Sequence, residues 1–269
     1  MPVRPEIRPL SRAKRKIFAD LGTRNGRERR GFFRVEGPRA IEDAMKRGAR
    51  FRYIVVDAEG ESLVTRWIDE GLLAAEAEVF RVSASELAAI TDTAAPQGVV
   101  AIGPLPSSGV EELPADLGRM ILLVDGVQDP GNLGTLLRTL AAVGGRAALL
   151  CRGTVDPFNP KALRGAAGAT FDLAIASGLE HRDAVDLLAD RGARVIALVA
   201  GAPSLFEAPV PDAPLALAVG NEATGLDAEI EHHAALVVGL PMAPRTDSLS
   251  AAVAGSIALY ALAHRLRST

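Results

Sequence analysis

The sequence predicts an α/β protein whose second half contains a parallel sheet with helices on both faces. The first observation is a set of continuous apolar runs of strand length, at Met120–Val124, Ala147–Cys151, Arg194–Val199 and Leu215–Val219. The second is that stretches with helical periodicity separate these runs, at about residues 131–143, 160–167, 183–191 and 248–266. Strands buried on both faces have this continuous apolar pattern, and crossover helices connect parallel strands.

The first half of the chain shows the same alternation on a smaller scale. Short buried strands are predicted at Phe51–Val56, Ala77–Val82 and Gly98–Ile102. Helices are predicted at Pro38–Lys46, Glu61–Ala74 and Ser85–Ile90. Proline, glycine and serine then concentrate at residues 103–109, where the apolar periodicity ends. We therefore predict a small α/β domain at residues 1–105, a linker at residues 106–118 and a second domain at residues 119–269.

The composition is that of a globular protein with a substantial core. Of the 269 residues 48% are apolar and 23% are charged. Cys151 is the only cysteine, so a disulfide within the chain is excluded, and a reducing compartment is expected. The sequence contains neither a signal-peptide pattern nor the roughly 18 consecutive apolar residues of a membrane helix. We expect a cytoplasmic protein without a membrane partner.

Positive charge is concentrated at the N-terminus. Residues 1–30 contain ten basic and three acidic side chains, a balance of +7, although the whole chain carries −3. The remaining residues therefore carry −10. The cluster Arg24, Arg27, Arg29 and Arg30 predicts binding of a polyanion such as RNA. The alternative is a solvated, partly disordered leader with no binding role.

Three loops that follow predicted strands combine glycine or proline with polar side chains, at Asp125–Gly134, Gly220–Gly225 and Pro241–Asp247. Ligands of open α/β sheets bind at the carboxyl ends of the strands. Neither phosphate-binding glycine fingerprint is present, which disfavours a nicotinamide or ATP enzyme. No metal-binding pattern is present, so no metal is expected. The four histidines are predicted to be surface residues, and a turn role is favoured for Asp125 and Asp129.

In this order, the segments Asp129–Thr139, Val219–Leu226 and Leu240–Ser256 resemble the three motifs of the SpoU (TrmH) family of SPOUT RNA methyltransferases. The residues that match are Asn132 and Arg138 in the first motif, Gly220, Asn221 and Glu222 in the second, and Leu240, Pro241, Met242, Ser248 and Leu249 in the third. Ser250 replaces the asparagine of the family pattern, and Ala223 replaces a glycine. The segment from Asp156 to Lys161, with Arg164, is also similar to the family.

The resemblance implies a C-terminal trefoil knot, S-adenosylmethionine as cofactor, and a homodimer that methylates ribose 2′-hydroxyls of structured RNA. The implied cofactor-binding residues are Leu198, Val199, Gly201, Gly220, Asn221, Leu240, Met242 and Leu249. The implied catalytic residues are Asn132, Arg138, Glu222 and Ser248. The first half resembles the family's substrate-binding domain, with Arg24–Arg30, Phe33–Gly37 and Pro96–Val100 as its marks. Ribosomal RNA is favoured over tRNA, because the two-domain layout resembles the members that modify ribosomal RNA.

Each implied role has a structural alternative. Arg138 is assigned to positioning and charge stabilisation, because a guanidinium stays protonated at neutral pH, although a role as base remains open. Without the motif, Arg138 would be a surface ion-pair residue, Asn132 a helix cap, Glu222 a turn residue and Ser248 the cap of the last helix. Ser250 motivates a second function, an RNA-binding protein with a degenerate cofactor site. A tRNA-directed methyltransferase and a small-molecule α/β enzyme are further alternatives.

Overall fold

The chain divides into two units, each built around its own sheet. The computed structural model describes residues 5–74, 76–93, 95–244 and 248–268. One unit contains Met1–Pro106 and Pro157–Phe171, and the other contains Ser107–Asp156 and Asp172–Thr269. Arg4 of the basic segment and Arg245, Thr246 and Asp247 of the third predicted loop lie outside the described residues.

The first unit contains a mixed five-stranded sheet. Its strands are β1 (Ile7–Pro9), β2 (Phe32–Glu36), β3 (Tyr53–Val56), β4 (Glu78–Arg81) and β5 (Val99–Pro104). They lie in the order β1-β4-β3-β5-β2, with β4 parallel to β1 and β3, and β5 antiparallel to β3 and β2. The helices are α1 (Arg12–Asp20), α2 (Arg24–Arg30), α3 (Pro38–Lys46), α4 (Glu61–Asp69) and α5 (Ala84–Ala88).

The basic N-terminal segment is folded into helices α1 and α2. Ser11 and Thr23 cap these helices, because their hydroxyls accept hydrogen bonds from the backbone N–H groups of Lys14 and Gly26. Gly31 ends α2 in the left-handed conformation, with a φ of 66°. The alternative of a partly disordered leader is therefore wrong for the described residues of this segment.

The second unit contains a six-stranded sheet in which every pair of neighbours is parallel. Its strands are β6 (Met120–Val124), β7 (Ala147–Cys151), β8 (Ala174–Leu179), β9 (Arg194–Leu198), β10 (Leu215–Val219) and β11 (Leu236–Val238). They lie in the order β11-β9-β10-β6-β7-β8. The helices that follow the strands of this half are α6 (Pro130–Ala142), α7 (Pro160–Ala166), α8 (His181–Asp190), α9 (Ala228–His233) and α10 (Ala251–Ser268). The predicted parallel sheet is present, and none of the described helices has the length and apolar content needed to span a membrane.

Helix α7 belongs to the first unit, although it lies within the range predicted as the second domain. Phe158 and Leu163 are buried in the apolar core of the first unit. The Phe158 ring lies 5.9 Å from the Phe33 ring, and Arg164 Nη1 lies 2.9 Å from Glu36 Oε2. The segment at residues 157–171 thus leaves the second unit after β7 and returns to it at β8.

The predicted linker is mostly packed against the second unit. Leu113 and Leu117 are buried in the core of that unit. The backbone N–H of Ser177 in β8 donates to the carbonyl of Ser108 at 2.8 Å. The segment from Ser107 onward is therefore an ordered part of the second unit.

The carboxyl ends of β6 and β10 lie side by side, because these two strands are adjacent at the centre of the sheet. The pairing continues past the strands, since the Asp125 N–H donates to the Val219 carbonyl at 2.9 Å. Helix α10 packs on α6 and β10 and approaches them closely at Gly255, where a Cβ atom would lie 2.4 Å from Leu136 Cδ2. The three motif segments therefore meet at the carboxyl ends of the central strands of the sheet.

Candidate active site

The first-motif loop (Asp125–Gly134) ends in the capped start of helix α6. The Asp129 side chain accepts a hydrogen bond from the Asn132 backbone N–H at 2.9 Å, and Pro130 occupies the first turn. Asp129 is therefore the cap, as its predicted turn role suggests, and the alternative cap role for Asn132 is wrong. The Asn132 side chain is free to reach across to the second motif, and its Nδ2 donates to Glu222 Oε1 at 2.6 Å.

The second-motif loop (Gly220–Leu226) forms a tight hairpin after β10. Asn221 and Gly225 exchange two backbone hydrogen bonds of 2.9 and 3.0 Å. A Cβ atom on Gly220 would lie 2.3 Å from the Gly225 carbonyl carbon, so only glycine fits there. The Asn221 side chain accepts from the N–H groups of Ala223 and Thr224 and donates to the Gly126 carbonyl at 2.7 Å. Asn221 thus holds the hairpin together and joins it to the first-motif loop.

The third motif leads into helix α10, and Ser250 caps that helix. Its hydroxyl accepts from the Val253 N–H at 3.3 Å, and its carbonyl accepts from the Ala254 N–H at 2.9 Å. The alternative that Ser248 caps the last helix is therefore wrong. Serine and asparagine are both strongly preferred at this position, so the replacement at residue 250 keeps the capping function.

A cavity of about 370 Å³ lies among the carboxyl ends of β9 and β10 and the start of α10. Seven of the eight predicted cofactor residues line it: Leu198, Val199, Gly220, Asn221, Leu240, Met242 and Leu249. The predicted catalytic residues Glu222 and Ser248 line it as well. Gly201 is exposed and lies outside this lining, because the chain turns away from the cavity after Ala200.

Other lining residues were not predicted, among them Thr224, Leu226, Glu231, Ala251 and Ala254. Ala251 and Ala254 lie three residues apart and so share one face of α10, which was a detectable signal. The cavity size falls within the usual range for small-molecule sites, and its walls are largely apolar with a few polar groups. These features fit a nucleoside-containing cofactor such as S-adenosylmethionine.

Arg138 lies on the exposed side of α6, six residues beyond Asn132. Among the described residues it has neither a hydrogen-bond nor an ion-pair partner, and it does not line the cavity. The alternative of a surface ion pair is therefore not realised in the described part of the chain. An exposed guanidinium with five unused donors can bind a phosphate or a carboxylate of a ligand.

Comparison with known families decides the assignment. The sequence model of the SpoU rRNA Methylase family matches residues 119–260, more than half of the chain. The chain belongs to this family. The model of the MRM3-like substrate binding domain matches residues 13–101, which places a family-type substrate-binding domain before the SpoU methylase domain.

Several relatives of this SpoU family chain are named as ribosomal RNA methyltransferases. The 23S rRNA (guanosine(2553)-2′-O)-methyltransferase RlmP of Bacillus subtilis is 34% identical over 259 residues, covering 96% of this chain and 98% of the relative. The AdoMet-bound rRNA methyltransferase of Sinorhizobium meliloti has a TM-score of 0.81 at 28% identity, covering 96% and 97% of the two chains. AviRb of Streptomyces viridochromogenes, solved with AdoMet, has a TM-score of 0.82 at 26% identity, covering 96% and 100%.

A second polar cluster of the SpoU domain lies beside the hairpin and contains Asp125, Cys151 and His181. One potential metal-binding atom from each lies within 4.8 Å of the others. Burial, and then the charge of Asp125, raises the pKa of the Cys151 thiol to about 12, so the thiol is neutral. Asp125 Oδ1 lies 2.9 Å from His181 Nε2, and Oδ2 accepts from the Asp227 N–H at 2.7 Å. The cluster is a hydrogen-bonded network. His181 is a surface residue only in part, with 30% of its side chain exposed, and the simple turn role predicted for Asp125 is wrong.

The four arginines predicted to bind RNA differ in their environments. Arg27 is 1% exposed and its Nη1 donates to the Leu21 carbonyl at 2.9 Å, so its assignment to RNA is corrected to a structural role. Arg24 pairs with Glu28 at 2.8 Å across one helical turn. Arg29 and Arg30 both contact Asp20, at 3.0 and 2.6 Å, and the hydrogen bond from Arg30 lowers the pKa of the Asp20 carboxyl. Arg24 and Arg29 remain more than half exposed and can reach a polyanion.

Proposed function

We propose that methyl transfer takes place at the mouth of the cavity, where the first-motif and second-motif loops meet. The chain is an RNA 2′-O-ribose methyltransferase, its methyl donor is S-adenosylmethionine, and its substrate is ribosomal RNA. Family membership over residues 119–260 supports this activity. The main support for placing methyl transfer at the mouth of the cavity is the 2.6 Å hydrogen bond from Asn132 to Glu222. This bond joins the polar side chains of two motifs beside the cavity.

S-adenosylmethionine, when bound, supplies a methyl group on a sulfonium centre that is open to attack by an oxygen nucleophile. Leu198, Leu240 and Leu249 would provide apolar surface for its nucleoside part, and the absence of a side chain at Gly220 permits the second-motif hairpin beside the cavity to close tightly on itself. No metal is assigned to the site.

Glu222 orients the Asn132 amide, because it accepts the Nδ2 hydrogen and so turns Oδ1 away from itself. The amide oxygen is then placed to accept a hydrogen bond from the ribose. Arg138 binds the phosphate next to the acceptor and holds the 2′-hydroxyl in line, and its charge stabilises the oxygen while the hydroxyl proton passes to solvent water. Ser248 contributes a hydroxyl to the same rim of the cavity. Arg138 thus acts by position and charge and not as a base.

We assign RNA binding to the first unit, through the exposed arginines of α2 and the neighbouring basic side chains of α1. The proposed functional division is a substrate-binding domain at residues 1–105, a connecting segment at 106–118 that packs on the second unit from Ser107 onward, and a methyltransferase domain at 119–269 from which residues 157–171 pack on the first unit. The match of residues 13–101 to a substrate-binding domain supports it. We also propose a cytoplasmic location, since the relative RlmP is a bacterial ribosomal RNA methyltransferase.

We further propose a homodimer and a C-terminal trefoil knot. Helix α10 carries a stripe of exposed apolar side chains, namely Val253, Ile257 and Tyr260. Their spacing of three and four residues places them on one face, and exposed apolar stripes mark interfaces. The knot is supported by the return of α10 to the centre of the sheet after the edge strand β11.

The role of Ser250 as a helix cap removes the motivation for a degenerate cofactor site, so the RNA-binding-only alternative is not carried further. A tRNA-directed activity remains an outcome of the test below. The test uses purified protein, labelled S-adenosylmethionine, and ribosomal RNA or tRNA from a strain that lacks the gene.

We expect Arg138→Ala to lower the rate of methyl transfer to ribosomal RNA by about a hundredfold or more while cofactor affinity changes by less than about threefold. The matched control is Arg146→Ala, an exposed arginine that precedes β7 and so lies at the opposite edge of the sheet. It should retain full activity. Wild-type transfer to tRNA alone, or an active Arg138→Ala variant, would contradict the assignment.

A further inference from the structure

Asp125 joins the two loops of the active site, although it belongs neither to the cofactor cavity nor to the groups assigned to the ribose. It directly follows β6 and is 7% exposed. Its Oδ2 accepts the backbone N–H of Asp227 at 2.7 Å. Asp125 is the first residue of the first-motif loop, and Asp227 is the first residue after the second-motif loop. One carboxylate therefore ties the start of one loop to the end of the other.

The second-motif hairpin needs such an attachment because open space lies on both of its sides. A second cavity, of about 440 Å³, lies on the far side of the hairpin from the first. Asn221, Thr224, Gly225 and Leu226 line both cavities. A hairpin with so little packing is positioned mainly by the hydrogen bonds that reach it from the first-motif loop. Among the described residues Gly126 and Asn132 bond the hairpin itself, and Asp125 holds Asp227, the residue that directly follows it.

His181 holds the Asp125 carboxylate in the orientation that makes this connection. It is the first residue of α8, and its Nε2 lies 2.9 Å from Asp125 Oδ1. Its Nδ1 lies 3.6 Å from a carboxylate oxygen of Asp227. The imidazole therefore lies between the two acidic residues, and a donor at Nε2 leaves the other Asp125 oxygen facing the Asp227 N–H.

We propose that Asp125 is a positioning residue for methyl transfer, and that His181 orients it. The pair fixes the second-motif hairpin so that Glu222 meets Asn132 at the acceptor site. This inference rests on the proposed function, because it assigns a role within that reaction. The inference goes beyond the proposed function, because it assigns a role to two residues that touch neither the cofactor cavity nor the acceptor ribose.

The test compares two pairs of variants. Asp125→Leu keeps the branching at Cγ but removes both acceptors, whereas Asp125→Asn keeps one amide oxygen for the Asp227 N–H. His181→Met removes the donor, whereas the amide nitrogen of His181→Gln replaces Nε2. The matched control is Asp183→Asn, an exposed acid in the first turn of the same helix. Steady-state methylation of ribosomal RNA, calorimetric binding of S-adenosylmethionine and thermal unfolding are measured for each protein.

We expect Asp125→Leu to lower kcat by about a hundredfold and His181→Met by about tenfold, because a misplacement of about 1 Å has effects of this size. The KM for RNA should change by less than about threefold, since the exposed arginines that bind RNA lie on the first unit and remain. Asp125→Asn and His181→Gln should recover most of the kcat. The control should match the parent.

The inference is wrong if Asp125→Leu or His181→Met keeps kcat within about threefold of the parent. It is also wrong if the amide variants are as impaired as the apolar ones, or if kcat falls only together with RNA binding. If Asp125→Leu does not fold, the comparison of His181→Met with His181→Gln still tests the inference, because His181 is partly exposed. An inactive parent protein would instead contradict the proposed function, so the two failures can be distinguished.

Discussion

Single residues determine whether the motif segments act as a site, and Ser250 is the clearest case. It replaces an asparagine of the family pattern, yet its hydroxyl caps the helix that forms one wall of the cofactor cavity. Because both residue types cap helices well, the replacement changes the side chain without removing its hydrogen bond to the backbone. The departure from the pattern is therefore compatible with an intact cavity.

Ser250→Asn should retain both stability and cofactor binding. Ser250→Ala should lower the free energy of unfolding by about 1 kcal/mol, because the N–H of Val253 loses its side-chain acceptor. Thermal unfolding with and without S-adenosylmethionine checks both variants. An asparagine variant less stable than the alanine variant would show that the cap is not what residue 250 contributes.

Burial also separates the four arginines of helix α2 into two kinds. Arg27→Gln should destabilise the first unit by about 1–3 kcal/mol, because the buried hydrogen bond to the Leu21 carbonyl is removed.

The double variant Arg24→Gln and Arg29→Gln should leave stability nearly unchanged but weaken RNA binding. The slope of its salt dependence should fall by about one unit for each RNA phosphate that the variant no longer neutralises. Filter binding at several salt concentrations measures this slope. An unchanged slope would show that helix α2 is not part of the protein surface that binds RNA.

At the scale of elements, the sequence predicts best where burial is complete. Strands β6, β7 and β10 have the predicted ends, since their apolar patterns are uninterrupted. Helix α3 also has the predicted ends, because Pro38 marks its first turn and its buried residues lie on one face. Strand β8 was missed because Ser177 and Gly178 interrupt its apolar run. Helices α1 and α2 were missed because they are rich in charge and begin at side-chain caps that the apolar pattern does not reveal.

Helix α10 carries the dimer prediction. Ile257→Asp together with Tyr260→Asp should convert a dimer to a monomer, because two charges would enter an apolar interface. Light scattering measures the mass, and the control is Val110→Asp, an exposed apolar residue outside the stripe. A parent protein that is monomeric at all concentrations would contradict the dimer.

At the scale of the whole molecule, the order of three motifs predicted the family and the edge of the sheet where the site lies. Contacts between segments distant in sequence were not predictable in the same way. The pairing of His181 with Asp125 and the burial of Phe158 in the first unit depend on how the chain folds back on itself. No local pattern encodes these contacts, whereas the loops at the strand ends follow from the parallel sheet.

The central claim is that this chain methylates ribose 2′-hydroxyls of ribosomal RNA. The most direct measurement is mass spectrometric mapping of 2′-O-methyl nucleotides in ribosomal RNA from a strain lacking the gene, followed by incubation of that RNA with purified protein and S-adenosylmethionine. We expect one methylated position to be missing in the deletion strain and restored by the parent protein, but not by Arg138→Ala. Unchanged methylation in the deletion strain, together with no transfer in vitro, would contradict the claim.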